Sequence, residues 1–111
     1  MGRAKDVLSS EEIDRQLIGL PQWRYSGGAL VSVFTLDNGR EALNFIASVG
    51  DLAEEQQHHP DLDWRYNKVF LRFTSHDADA EVTTRDVSAA ASVSVLAGKL
   101  SADADPDAYP G

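Results

Sequence analysis

Cysteine is absent from this chain, and histidine and basic residues are scarce. Without cysteine there are no disulfides, thiolate metal ligands or thiol nucleophiles, which suits a cytoplasmic setting. Ten Lys and Arg stand against eighteen Asp and Glu, leaving a net charge of −8. That is the wrong sign for binding nucleic acid, which rests on neutralising phosphates. No apolar run approaches the ~20 residues that span a bilayer, and the first residues lack the apolar segment of a secretory signal. With 111 residues, 42% of them hydrophobic, the chain fits one domain with a modest core.

Local signals divide that domain. Ser9 and Glu12 form a capping box, Leu8 can staple against Ile13, and Gly19 with Pro21 closes a short first helix. Trp23-Arg24-Tyr25, glycines at 27 and 28, and the Val- and Phe-rich run 29–36 predict a hairpin. Asp37-Asn38-Gly39 offers a cap for the longest helix, roughly 40–56, whose stripe comprises Ala42, Phe45, Ile46, Val49, Leu52 and Ala53. Gly50 within it suggests close packing. Pro60 prevents the helix from continuing and biases His59 towards an extended backbone. Leu62, Trp64 and Tyr66 alternate with polar residues, as do Val69, Leu71 and Phe73 with Phe70, Arg72 and Thr74, predicting a second hairpin that turns at Asn67-Lys68. Residues 77–80 read as a loop, and Thr83 with Asp86 resembles a capping box opening a last helix to about Leu100.

The order is helix, two strands, helix, two strands, helix. It predicts an α+β fold, with one four-stranded antiparallel sheet and three helices on one face. Residues 1–8 are expected to be a flexible N-terminus, 9–100 the single domain, and 101–111 a disordered acidic tail with almost nothing to bury.

All three histidines, His58, His59 and His76, lie between Glu54 and Asp86. Imidazole titrates near neutrality and transfers protons in both directions. Each residue also has a plain structural reading. His58 and His59 can simply end a helix, where imidazolium suits the C-terminal dipole, and His76 can end a strand on its polar face. Asp86 is expected from capping alone, Glu54 sits on an acidic helix face, and Trp64 and Tyr66 read as sheet-packing residues. Glu54 and His58 also have the i, i+4 spacing of a metal pair, although adjacent histidines rarely hold one ion.

Glu54, His58-His59-Pro60, Tyr66, His76 and Asp86, with Tyr66-Asn67-Lys68-Val69, resemble the pterin-4a-carbinolamine dehydratase family, whose signature has this spacing. Family members usually carry two glycines after the third histidine, whereas this chain reads Asp77-Ala78-Asp79-Ala80-Glu81-Val82. The resemblance implies a hydro-lyase that removes water from 4a-hydroxytetrahydrobiopterin to give quinonoid dihydropterin, in tetrahydropterin recycling. Its implied catalytic residues are His58, His59 and His76, with His58 and His76 as the acid/base pair and His59 mainly orienting. Glu54 would support His58, and Asp86 the His76 side. His58, His59, Pro60, Ser75, His76, Asp77 and Ala78 would bind the pterin, which is substrate rather than cofactor; no metal or other cofactor is implied. A homodimer is expected ahead of a homotetramer, because the outer face of the long helix is polar. An aromatic amino-acid hydroxylase pathway is the implied context, and membranes and nucleic acid are not expected partners. The alternative is a non-catalytic protein-binding module, either a dimerisation cofactor or an assembly factor.

Overall fold

The computed structural model describes residues 6–111 and places them as α1 (Ser10–Ile18), β1 (Arg24–Ser26), β2 (Ala29–Thr35), α2 (Gly39–Gln56), β3 (Asp61–Arg65), β4 (Lys68–Phe73), α3 (Thr84–Lys99) and β5 (Asp103–Ala104), with 3-10 turns at His76–Ala78 and Pro106–Ala108. The sheet is antiparallel in the order β1-β2-β4-β3, and the two-residue β5 adds to the free edge of β2. The fold is the expected α+β architecture with one short strand more.

The helix starts follow their caps. Ser9 and Glu12 form the reciprocal capping box at α1, Asn38 Oδ1 accepts from the Glu41 amide at α2, and Thr83 and Asp86 form a second box at α3. The first hairpin turns through Gly27 and Gly28, both at positive φ (57° and 79°), the conformation a two-residue hairpin turn requires. The second turns through Tyr66 and Asn67, one residue earlier than expected, with Arg65 opposite Lys68.

Leu30 and Phe34 of β2 and Val69, Leu71 and Phe73 of β4 face the helices. Ile13 of α1, Ala42, Phe45 and Val49 of α2, and Ala90 and Val93 of α3 close over them. Trp23 packs between Phe34 and Phe73, with ring centroids 5.7 and 5.6 Å away, and its indole N–H donates to Ser94 Oγ on α3.

Several expectations need correction. Gly50 faces open space rather than a close neighbour. Trp64 and Tyr66 are exposed (45% and 70%): Trp64 because β3 is the outermost strand and every one of its residues is exposed, Tyr66 because it sits in the hairpin turn. Residues 101–111, expected to be disordered, run as β5 and a 3-10 turn held by hydrogen bonds to β1 and β2. Of the segment 1–8 expected to be flexible, residues 1–5 lie outside the described residues. Residues 6–8 run antiparallel to 82–84, with Leu8 N donating to Val82 O and Thr84 N to Asp6 O.

Candidate active site

The C-terminus of α2 presents two histidines. Gln57 takes the left-handed conformation (φ 52°), its amide returns to Glu54 O and the His58 amide to Ala53 O, so two of the last helical carbonyls are satisfied as the chain reverses. His58 turns inward, its ring nearly parallel to that of Phe73 (9°, centroids 6.0 Å apart) and its side chain only 10% exposed. His59 stays at the surface.

Behind His58 lies a buried polar cluster. His58 Nε2 is 2.5 Å from Asp86 Oδ1, and Asp86 is fully buried. The other oxygen, Oδ2, accepts from Ser75 Oγ at 2.8 Å and from the Thr83 amide at 2.9 Å. Thr83 Oγ1 lies 2.8 Å from Ser75 Oγ and accepts from the Arg85 amide. Because Ser75 gives its one proton to Asp86, Thr83 donates to Ser75. A single carboxylate thus caps α3 with one oxygen and holds a histidine with the other. An ionised carboxylate only accepts, so beside it Nε2 of His58 is the nitrogen that carries the proton.

His59 pairs separately, Nε2 to Glu54 Oε2 at 2.5 Å, both side chains more than half exposed. The expected partnerships are therefore exchanged: Glu54 serves His59, and Asp86 serves His58 rather than His76. His76 opens the 3-10 turn that follows β4 and is exposed, with no hydrogen-bond partner among the described residues. The next residue fixes this turn: Asp77 Oδ2 accepts from Arg85 Nη1 at 2.9 Å, while Arg85 Nε donates to Asp6 at 2.8 Å. The Arg85 hydrogen bond holds the Asp77 carboxyl below the usual carboxylate range, and Asp77 and Asp6 in turn raise the Arg85 guanidinium. Asp79 and Ala80 both lie at positive φ (57° and 58°), so this loop adopts without glycine a backbone that glycine would take freely.

These groups meet in a cleft of about 290 Å³ lined by Gln57, His58, His59, Thr74, His76, Asp77 and Arg85, near the low end for small-molecule sites. A larger groove of about 420 Å³ between α2 and α3 holds no histidine, whereas all three line the smaller cleft. Of the residues expected to contact substrate, Pro60, Ser75 and Ala78 do not line the cleft; Ser75 and Ala78 are buried behind it. Gln57, Thr74 and Arg85 were not foreseen. The carbonyl of Gly28 accepts from Thr74 Oγ1 and so ties the cleft wall to the first hairpin turn, a contact no local pattern encodes.

The fold and cleft define a class: an α+β protein whose site offers imidazoles and carboxylates for proton transfer. Residues 6–96 match the family model for pterin 4 alpha carbinolamine dehydratase, and the chain belongs to that family. A relative from Thermomicrobium roseum named "Putative pterin-4-alpha-carbinolamine dehydratase" is 44% identical over 81% of this chain and 96% of its own length. One of the same name from Chloroflexus aurantiacus is 41% identical over 82% and 97%. The crystal structure of a "transcriptional coactivator/pterin dehydratase" from Brucella melitensis superposes with a TM-score of 0.78 at 26% identity, covering 83% of this chain and 99% of that one. Residues 97–111 lie beyond the family match.

Proposed function

We propose that this protein dehydrates a 4a-hydroxytetrahydropterin to the quinonoid dihydropterin, by histidine acid/base catalysis and with no cofactor. The observation that carries this reading is the His58–Asp86 pair in a cleft shared with His59 and His76. Water leaves when the C4a–O bond breaks with a proton delivered to the hydroxyl; N5 loses its proton and the C4a–N5 double bond forms. His58 suits the base, because Asp86 fixes its tautomer and stabilises the imidazolium formed when Nδ1 takes the N5 proton. His76, exposed in the same cleft, suits the acid. His59, tethered to Glu54, orients the ring system. Each proton transfer is worth typically ~10²–10⁴-fold, or about 3–5 kcal/mol of barrier.

The test is the rate of quinonoid product formation from freshly generated 4a-hydroxytetrahydrobiopterin, set against its uncatalysed dehydration. His58→Ala and His76→Ala should each lose on the order of 10²-fold or more. His76 is exposed on its turn, so its loss leaves the fold intact. Unchanged turnover in both variants rejects the assignment. The same reading includes a cytoplasmic role in tetrahydropterin recycling beside an aromatic amino-acid hydroxylase. It also includes a homodimer, supported by the outer edge of β3, where Leu62 and Trp64 are exposed (39% and 45%). A monomer by light scattering at micromolar concentration rejects the dimer. The Brucella protein is called a transcriptional coactivator as well as a pterin dehydratase, which favours a second, protein-binding role, while three intact histidines favour catalysis.

A further inference from the structure

The sheet has a second apolar surface. Register places Ala29, Val31 and Val33 of β2 on the face away from the helices, beside Arg24 of β1 and Phe70 and Arg72 of β4. These three β2 residues are at most 1% exposed, yet none belongs to the helix-packed core. Their cover comes from the end of the chain. β5 pairs with Phe34 and Thr35, the Asp105 amide donates to Val33 O at 2.8 Å, and the turn Pro106–Ala108 packs on β2. Arg24 then donates to three backbone oxygens of the passing segment: Pro106 (3.2 Å), Tyr109 (2.7 Å) and Gly111 (3.2 Å). The Tyr109 ring lies 6.1 Å from that of Phe70.

The two sides of this contact are unequal. The centre of the face, Ala29, Val31 and Val33, is fully buried and apolar, while no residue of 101–111 is itself buried. Its grip is the Arg24 side-chain bonds to backbone oxygens with the short β5 pairing and the Asp105–Val33 bond. Such a segment opens locally at low cost compared with the ladder beneath it. We propose that the helix-free face is a docking surface for an extended acidic peptide and that residues 103–111 fill it in cis as an internal plug. A segment that fits must add to the β2 edge, offer backbone oxygens and an acidic group to Arg24, as Asp107 does at 3.7 Å, and place an aromatic ring on Phe70. The segment lies beyond the part of the chain shared with the family, and the proposal does not depend on the dehydratase reading, since no cleft residue takes part.

Two measurements on the full chain decide it. In the unaltered protein the Asp105 amide should exchange with solvent more slowly than in an unstructured peptide, but faster than the β2–β4 ladder amides. In the Asp105→Pro/Tyr109→Asp variant the plug is released, because proline removes the N–H bonded to Val33 and cannot adopt φ −139°. A labelled peptide of residues 101–111 should then bind the variant at least tenfold more tightly than the unaltered chain, and adding Arg24→Ala should abolish the gain. Unprotected Asp105 in the unaltered protein overturns the plug. Equal peptide binding to plugged and released chains, or none to either at millimolar concentration, overturns the docking surface.

Discussion

Two histidine–carboxylate pairs flank the cleft, both at 2.5 Å, and they are built for different ends. His58–Asp86 is buried, and its carboxylate is saturated by Ser75 and Thr83. His59–Glu54 spans one turn at the end of α2 with both side chains in water. Equal distance does not mean equal energy: removing a partner from a buried network strands several polar groups, whereas an exposed pair trades protein contacts for water. The inner pair is tied into the fold by its buried network, and the outer one is not.

Asp86→Ala should break this contrast most severely. It leaves the His58 ring nitrogen and the Thr83 amide unpaired, takes from Ser75 Oγ its acceptor and removes half of the α3 capping box, so a loss of about 3–5 kcal/mol is expected in urea unfolding. Asp86→Asn keeps the volume but cannot hold the same tautomer, so kcat should fall ~10²–10⁴-fold with a smaller loss of stability. Asparagine that preserves kcat would reduce Asp86 to a helix cap. Glu54→Gln, at the outer pair, should change stability by less than ~0.5 kcal/mol and turnover by less than about tenfold.

The Asp77–Arg85 pair sharpens the contrast through pH. The Asp77 carboxyl is lowered in the folded chain, so the folded state binds fewer protons there than the unfolded state. Its contribution is present above the ordinary Asp value of 3.8 and is lost as pH falls through the lower folded value. Asp77→Asn should therefore remove part of the acid limb of the stability–pH curve and leave the neutral region little changed, as followed by thermal melts from pH 2 to 7. Ala80→Gly should have the smallest effect, a gain of up to ~1 kcal/mol from relieving a left-handed alanine. A loss of stability instead would show that the Ala80 methyl packs.

Much of this was legible from local chemistry. The capping boxes at Ser9 and Thr83, the Gly27-Gly28 turn and the stripe of α2 each depend on neighbours within four residues, so they were read correctly. The three histidines gathered in one stretch also line one cleft. The partners of those histidines were not legible: Glu54 lies within reach of both His58 and His59 along the chain, and only the docking of α3 behind α2 brings Asp86 to His58. Parity along β3 placed Leu62, Trp64 and Tyr66 on one side, but whether that side is covered depends on strand order, which put β3 outermost. Residues 101–111 read as disordered because they carry little to bury. What orders them belongs to β1 and β2, where Arg24, Val31 and Val33 supply the donors and the apolar floor. The sequence by itself determined the three helices, the four main strands, their caps and which residue types gather at the cleft, because those rest on short-range periodicity and hydrogen bonding. Tertiary structure decided which carboxylate serves which histidine, which strand stays exposed and what covers the second face, because each depends on distances between residues far apart in the chain.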